Sequence, residues 1–248
     1  MNRPSAQRRP SPPPLSPEET QARLLYRDGL ILVFDKPAGL PVHAGPGGGP
    51  NLEQCFDALR FGLPAPPALA HRLDRDTSGC LVLGRHRKAL AKLGRLFQAG
   101  LVDKSYWAVV VGSPSQSEGR VEAPLLKTTR KDGGWRIVVD PKGQAAATNY
   151  RVLGSGDGLS WLELKTETGR THQVRVHCAE LGCPILGEPM YGTLSPEQRT
   201  QPLHLHARGI VLPLSKSKPP VAVTAEPPEH MHAALRLCGW DPARASAP

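Results

Sequence analysis

The chain carries short runs of β-branched, aliphatic and aromatic residues between Gly, Pro and Asp residues, a pattern that is typical of β-strands. These runs predict six strands, at residues 30–34, 80–83, 106–111, 137–139, 150–153 and 159–164. Strands and helical patterns do not alternate regularly, as they would in a doubly wound parallel sheet. The pattern therefore predicts an α+β fold.

An amphipathic helix is predicted over residues 87–99, where Leu90, Leu93 and Phe97 share one face. Gly100 provides its stop signal. The polar face carries three cations about one helical turn apart, Lys88, Lys92 and Arg95. Such a stripe can bind the phosphate backbone of a nucleic acid, or it is simply the solvated face of the helix.

A second helix is predicted to begin with Thr171 as its N-cap and to end before residues 182–184, which read Gly-Cys-Pro. Residues 172–177 alternate in a way that would suit a strand equally well, so the caps decide in favour of the helix. Near the N-terminus, Ser16 and Pro17 predict the cap and the first position of a short helix.

The two ends of the chain differ in composition from its centre. Residues 1–23 are rich in Pro, Ser and Arg and poor in large aliphatic residues, so they are predicted to be a disordered tail. Residues 24–240 are predicted to form one folded domain, and residues 241–248 a flexible C-terminus.

The charge of the chain favours an anionic partner. The first 24 residues hold four Arg and two Glu, so +7 of the net charge of +9 belongs to the folded part. Five cysteines without a Cys-x-x-Cys pair indicate neither a disulfide framework nor a zinc ribbon. We find no run of about 18 apolar residues and no secretory signal, and therefore expect a cytoplasmic protein with reduced thiols.

The densest group of functional side chains lies at residues 71–79, His-Arg-Leu-Asp-Arg-Asp-Thr-Ser-Gly, directly before the apolar run of 80–83. A loop held by a buried strand can present Asp74 to a substrate while Arg72 and Thr77 contact that substrate or the backbone. Composition alone leaves a second interpretation open, an Asp-rich turn that satisfies its own amides.

This segment resembles the catalytic motif of the RluA-type pseudouridine synthases, His-Arg-Leu-Asp-x-x-Thr-Ser-Gly followed by an apolar strand. Four more segments are similar to motifs of that family and occur in the family order, at residues 30–40 (LILVFDKPAGL), 102–108 (VDKSYWA), 168–177 (TGRTHQVRVH) and 181–192 (LGCPILGEPMYG). The resemblance extends from about Leu24 to about Pro228. Five motifs in order make it specific.

The resemblance implies a mixed, mostly antiparallel β-sheet with flanking helices and an RNA-binding cleft across it. It implies an isomerase that breaks the N1–C1′ bond of a uridine in RNA and rejoins the ring through C5. The reaction needs no cofactor, in agreement with the absence of a phosphate loop or a dinucleotide fingerprint in the sequence. We expect residues 24–240 to be a stand-alone catalytic domain without the S4-like RNA-binding module of some relatives.

The family pattern also implies roles for single residues. Asp74 would be the catalytic carboxylate, which attacks C1′ or removes the C2′ proton, and both routes stay open. Arg175 would pair with it in bidentate fashion and keep it ionised. Tyr106 would stack on the uracil and help to remove the C5 proton. Arg72 would take the place of the flipped base or hold its phosphate, and Arg170 would bind RNA.

Four histidines, His172, His177, His204 and His206, raise the question of a metal site. No carboxylate or Cys is spaced with them as a zinc enzyme needs, so no metal is expected. The chain departs from the family pattern at Cys183, where His is common, and at Glu188, which replaces the usual Asp. Neither change is expected to touch the chemistry.

The leading prediction is an RNA pseudouridine synthase that acts on structured tRNA or large-subunit ribosomal RNA as a monomer. Two other functions stay open. One is a catalytically silent RNA-binding domain, which the basic charge supports equally well. The other is a carboxylate-dependent hydrolase of nucleosides or glycosides, which would need Asp76 opposite Asp74 across the substrate. Two positions along one loop are poor geometry for such a pair.

Overall fold

A computed structural model describes residues 12–45, 48–129 and 133–245. The disorder predicted for residues 1–11 falls outside these ranges. Within them, no helix combines the length and the apolar character that crossing a membrane requires.

One mixed sheet of ten strands organises the fold, and a separate hairpin of two strands lies beside it. The strands are β1 Leu24–Arg27, β2 Ile31–Lys36, β3 Ala68–Leu69, β4 Ser78–Gly84, β5 Asp103–Val111, β6 Glu118–Glu122, β7 Leu125–Thr129, β8 Trp135–Val139, β9 Ala147–Gly156, β10 Leu159–Thr166, β11 Leu205–Leu212 and β12 Val221–Thr224. The main path of the sheet is β1-β2-β4-β11-β5-β10-β9-β6, while β12 pairs with β11, β3 with β4, and β7 with β8 in the hairpin. Among the strands of the described residues, only β4 and β11 pair in parallel, which confirms the expected mixed, mostly antiparallel sheet.

The six predicted strands are all present, as β2, β4, β5, β8, β9 and β10. The pattern misses short strands of mixed polarity. In β6, for example, Val121 is the one buried side chain of five residues, so no hydrophobic run marks the strand. Pairing with β9 along its whole length holds this strand in the sheet.

The helices are α1 Pro17–Ala22, α2 Arg87–Gln98, α3 Gln173–Glu180, α4 Pro196–Thr200, α5 Glu229–Leu237 and α6 Pro242–Ala245, with a 3-10 helix at Leu52–Leu59. The predicted helix at 87–99 is confirmed as α2. The predicted cap at Ser16 is also confirmed, because its hydroxyl accepts from Glu19 N. Since residues 17–22 are helical, the predicted disordered tail of 1–23 is too long at its C-terminal end. The domain boundaries at 24 and 240 stay a prediction.

The N-cap predicted for α3 is wrong by one residue. His172, and not Thr171, occupies the cap position, with φ of 54° and ψ of 19°. This left-handed conformation turns the chain sharply between the end of β10 and the helix. Spacing in the sequence does not reveal such a turn, because a residue other than glycine adopts this conformation only uncommonly.

Helices cover both faces of the large sheet. On one face, α2 packs through Leu93 in a cluster with Val33 and Val82, and α5 packs further along the same face. On the opposite face lie the 3-10 helix and α3, each in its own cluster. Tyr106 contacts both of these clusters and so marks the centre of that second face.

The start of β4 is held closely against β11. Gly79 has a φ of +102°, and a Cβ added to it would lie 2.3 Å from Ala207 O, so only glycine fits there. Ser78 Oγ lies 2.8 Å from His206 Nδ1, and His206 Nε2 lies 3.0 Å from Ala225 O. A neutral His206 that donates to the carbonyl and accepts from the hydroxyl satisfies both contacts. These contacts fix the strand that follows the Asp74 loop.

The buried histidines predict a loss of stability in mild acid. Burial lowers the pKa of His204 and of His206 from 6.5 to about 4. Between pH 6.5 and pH 4, the unfolded chain binds protons at these histidines that the folded chain does not bind. Their contribution to the free energy of unfolding is therefore complete above pH 6.5 and falls as the pH drops towards 4. Each histidine contributes on the order of 3 kcal/mol. We expect urea unfolding to show a free energy of unfolding that decreases steadily over this range.

The matching variants separate these histidines from carboxylates that titrate nearby in pH. His206→Asn should flatten the decrease between pH 6.5 and 4, although it lowers stability at pH 7.5. His43→Gln is the control, because His43 is exposed and should leave the slope unchanged. An equal slope in wild type and His206→Asn would contradict the assignment.

Candidate active site

A cleft of about 100 Å³ opens between the loop of residues 71–77, the strand β5 and the segment that leads from β10 into α3. Five of the residues singled out in the sequence line it, namely Arg72, Asp74, Tyr106, Arg170 and Arg175. Asp74 is the one carboxylate among the described residues that line the cleft. The fold therefore brings together three segments that are far apart in the chain.

Lys36 fixes the backbone of the loop that carries Asp74. Within the loop, Thr77 N donates to Asp74 O at 3.2 Å. Lys36 lies at the end of β2 with no exposed surface, and its Nζ donates to Arg75 O, Thr77 O and Pro37 O, each at 2.8 Å. Three carbonyl acceptors satisfy all three N–H groups of the ammonium. Lys36 thus connects the first family motif to the loop.

Lys36 is a site residue that the sequence did not reveal, since lysine is almost never fully buried. Burial lowers its pKa to about 7, against the opposing charges of Asp76, Asp74 and Asp35. The three carbonyls also favour the charged form, because each accepts a proton of the ammonium. The Lys-Pro pair at the end of a predicted strand was the only available signal.

Arg175 lies beside Asp74, as expected, but its bidentate partner is a different carboxylate. Its Nη1 is 3.5 Å from Asp74 Oδ2. Its Nε and Nη2 each donate at 2.7 Å to the two oxygens of Glu188. The expected bidentate pair of Arg175 with Asp74 is therefore wrong. The guanidinium is held by Glu188 and presents its remaining edge to Asp74.

Glu188, whose replacement of the usual Asp was not expected to touch the chemistry, lies directly against Arg175. It is 1% exposed, and Oε1 also accepts from Met190 N at 2.8 Å and from Tyr191 N at 3.3 Å. Burial disfavours the charged form of Arg175, but the hydrogen bonds and the charge of Glu188 outweigh it and raise the pKa of that group. The carboxylate thus keeps a buried cation in place next to Asp74.

His172 forms the other side of the Asp74 environment. Its Nε2 is 3.7 Å from Asp74 Oδ2, and its Nδ1 is 2.7 Å from the Tyr191 hydroxyl. Burial lowers the pKa of His172 to about 4, although the charge of Asp74 opposes this. The ring is therefore neutral at neutral pH. Since Tyr191 Oη accepts from Ile137 N, it can donate to Nδ1 and leave the ring proton on Nε2, towards Asp74.

The hairpin of β7 and β8 covers His172 from outside. The rings of Trp135 and His172 lie 5.1 Å apart, and Lys127 Nζ is 4.8 Å from the Trp135 ring. His172 also has the left-handed backbone described above, and such strained conformations often occur at functional sites. Sequence analysis assigned His172 no role beside Asp74, because its contacts there come from other segments of the chain.

Tyr106 reaches the cleft from the middle of β5. Burial raises the pKa of its hydroxyl, and the charge of Asp74 raises it further. The hydroxyl is therefore protonated at neutral pH. The ring lines the cleft, and the hydroxyl can accept a proton only when its own proton moves on.

Gln173 shapes the segment that carries Arg170. Its Oε1 accepts from Thr168 Oγ1 at 2.6 Å and from Arg170 N at 3.0 Å, while its Nε2 donates to Ala147 O at 2.9 Å. Arg170 is exposed and its Nε donates to Ala145 O at 3.1 Å. Arg72 is exposed on the opposite side of the cleft. Both cations are accessible to an RNA strand.

The basic stripe of α2 lies outside the cleft. Lys88 and Arg95 are exposed and Lys92 is half-buried, and none of them lines the cleft. The helix packs on the sheet face opposite to Tyr106. Only its last turn approaches the loop, where Phe97 contacts the ring of His71 at 4.8 Å. The structure therefore does not join the stripe to the other predicted residues.

Comparison with known proteins identifies the family. Residues 30–180 match the RNA pseudouridylate synthase family, over more than half of the chain and including the Asp74 loop. The chain belongs to this family. It is an RNA pseudouridine synthase, an isomerase, and its motifs are those of the RluA type.

Relatives of known name agree with this assignment. The chain is 44% identical over 207 residues to an uncharacterized RNA pseudouridine synthase of Zymomonas mobilis, covering 83% of this chain and 93% of the relative. It is 34% identical to the ribosomal large subunit pseudouridine synthase D of the same organism, covering 92% and 76%. The solved structure of human RNA pseudouridylate synthase domain containing 4 superposes with a TM-score of 0.74 at 30% identity, covering 89% and 95%.

The histidines considered as metal ligands make contacts within the protein. His177 Nδ1 is 2.8 Å from Thr148 Oγ1, and its Nε2 is 3.1 Å from Ala123 O. His204 Nδ1 donates to Pro202 O at 2.8 Å. Among the described residues, no group of three or more His, Cys, Asp or Glu is arranged to hold a metal ion.

Proposed function

We propose that this enzyme isomerises specific uridines in structured RNA, either tRNA or large-subunit ribosomal RNA, with Asp74 as its catalytic carboxylate. The observation that carries the proposal is the position of Asp74 in the cleft, 3.5 Å from Arg175 and 3.7 Å from His172. Similarity to a synthase named for the ribosomal large subunit supports ribosomal RNA as one substrate class. A cytoplasmic monomer is part of the same proposal.

The reaction needs one anionic oxygen next to the ribose of the target. The Asp74 carboxylate either attacks C1′ or removes the C2′ proton, and in both cases the N1–C1′ bond breaks with its electrons going to the uracil. The freed ring turns and C5 bonds to C1′. This step displaces the Asp74 carboxylate from C1′ in the first route, and in the second route the proton returns to C2′. The C5 proton then leaves and N1 gains a proton. The positive charge of Arg175 lies beside this carboxylate, with Nη1 3.5 Å from Asp74 Oδ2.

The other residues of the cleft hold the substrate. Tyr106 stacks on the flipped uracil, and its hydroxyl takes the C5 proton only while handing its own proton on. Arg72 takes the place of the extruded base or binds its phosphate, and Arg170 binds RNA at the opposite side. Neutral His172 donates towards Asp74 and fixes the orientation of the carboxylate.

The structure gives no support to the hydrolase alternative. Asp76, the carboxylate that the alternative needs, does not line the cleft, and its Oδ1 is 3.6 Å from Arg75 Nε. Both oxygens of Glu188 accept hydrogen bonds from Arg175, and Glu188 does not line the cleft either. A general acid and a base on opposite sides of a sugar are therefore not present among the described residues.

The proposal is tested by mapping pseudouridine in RNA of cells with and without this gene, by chemical derivatisation and reverse-transcription stops. We expect one or a few stops in tRNA or large-subunit ribosomal RNA to disappear and to return with the wild-type gene. Return of the same stops with an Asp74→Asn gene would contradict the role of Asp74. Identical maps in both strains would contradict the proposed substrates.

The α2 stripe is expected to bind RNA outside the cleft without selecting the base. Replacing Lys88, Lys92 and Arg95 together by Gln should raise KM and flatten the salt dependence of binding, because phosphate contacts are lost. The change in kcat should stay below about twofold, since none of the three lines the cleft. Steady-state kinetics measure KM and kcat, and filter binding between low and high salt measures the salt dependence of binding. An unchanged salt slope would show that the stripe is only a solvated face.

A further inference from the structure

Lys104 is a partly buried cation beside the cleft that lacks a strong partner. It lies in β5 two residues before Tyr106, and its Nζ points to the segment of residues 168–169 that leads from β10 into α3. Its hydrogen bond among the described residues is a weak one of 3.4 Å to Thr168 O. Burial lowers the pKa of Lys104, and no described carboxylate counteracts this.

Other poorly exposed cations of the described chain are compensated. Lys36 has three carbonyl acceptors, and Arg175 has the two oxygens of Glu188. Arg208 binds Glu226 at 2.8 Å. A cation that is partly removed from water without such a partner costs free energy. An anionic ligand would therefore stabilise Lys104 more than its surroundings in the free protein do.

The position of the ammonium fits an anion bound at the rim of the cleft. Nζ would lie 3.8 Å from a Cβ at Gly169, and both Thr168 and Gly169 line the cleft. The neighbouring His71 is neutral at neutral pH, because burial and the charge of Lys104 lower its pKa to about 4, and an imidazole supplies no negative charge in either form. The positive charge of Lys104 is therefore not neutralised from that side either.

We propose that Lys104 is a phosphate-binding residue, whose ammonium contacts a non-bridging oxygen of the RNA backbone next to the target uridine. This proposal rests on the proposed function. A uridine seated between Asp74 and Tyr106 carries a phosphate on each side of its ribose, so an anion must lie close to the cleft. Partial removal from water strengthens the interaction of the ammonium with that phosphate.

The test uses a synthetic RNA stem-loop that contains the uridine found by the mapping experiment. Lys104→Met keeps the length of the side chain and removes its charge, whereas Lys104→Arg keeps the charge. Lys216→Met is the matched control, because Lys216 is exposed between β11 and β12 and does not line the cleft. Filter binding over a range of salt concentrations gives the Kd and its salt slope for each protein, and thermal unfolding gives Tm.

Lys104→Met should weaken binding about tenfold, the usual effect of one hydrogen bond to a charged group. Its slope of log Kd against log salt should fall by about 0.7 to 0.9, the value for one phosphate contact. Lys104→Arg should bind within about threefold of wild type, and Lys216→Met should keep both values. The Tm of Lys104→Met should not fall, because the ammonium has no strong partner in the free protein.

A neutral methylphosphonate placed at single positions of the RNA identifies the phosphate. At one position near the target, it should weaken binding of wild type but not of Lys104→Met. An unchanged salt slope together with a lower Tm would show a structural role and overturn the proposal. Failure of the wild type to form pseudouridine in this RNA would instead contradict the proposed function, so the two failures are distinguishable.

Discussion

Replacing Asp74 with Asn is expected to lower kcat by at least about 10⁴-fold while the protein stays folded and binds RNA. The amide keeps the size of the side chain and much of its hydrogen bonding. It removes the oxygen that must act on the ribose and the charge that faces Arg175 at 3.5 Å. Binding should tighten slightly, because a negative charge facing a polyanion is lost.

The matched control is Asp76→Asn two residues further along the loop. Its carboxylate is 43% exposed and lies near Arg75, so the change should cost no more than about tenfold. Tritium release from RNA with 5-tritiated uridine measures turnover, and filter binding measures affinity. A folded Asp74→Asn protein that binds RNA and retains more than about 1% of the wild-type rate would contradict the role of Asp74.

Local patterns predict much of this fold because the large strands are hydrophobic runs. β4 and β5 are marked by continuous apolar residues, and α2 by its period of 3.6 and the stop at Gly100. The mixed sheet and the convergence of Asp74, Tyr106 and Arg175 followed only from resemblance to a family. Residues separated by about a hundred positions cannot be placed together by periodicity alone.

The sequence could not reveal the buried polar contacts below the cleft. Lys36 and Glu188 are polar residues in positions where burial is unexpected, and their partners lie in other segments. The partner of Arg175 was misassigned for the same reason, since two carboxylates compete for one guanidinium. The choice between them depends on distances that only the folded chain determines.

Replacing Glu188 with Gln is expected to lower the free energy of unfolding by about 3 to 5 kcal/mol, the usual effect of removing one partner of a buried ion pair. Arg175 would keep its charge with only Asp74 as a carboxylate partner, at 3.5 Å. We expect the guanidinium to move towards Asp74 and to draw its oxygens away from the ribose. Single-turnover rates, measured where the variant is folded, should therefore fall by about 10- to 100-fold.

Glu226→Gln is the matched control, because Glu226 pairs with Arg208 at 2.8 Å but is 66% exposed. Loss of an exposed pair should cost no more than about 1 kcal/mol and leave turnover unchanged. Urea unfolding of the three proteins compares the stabilities. Glu188→Asp keeps the charge and restores the residue usual in the family, so it should recover most of the rate even if the shorter side chain lowers stability. A loss below about 1 kcal/mol in Glu188→Gln would mean that Asp74 alone holds Arg175.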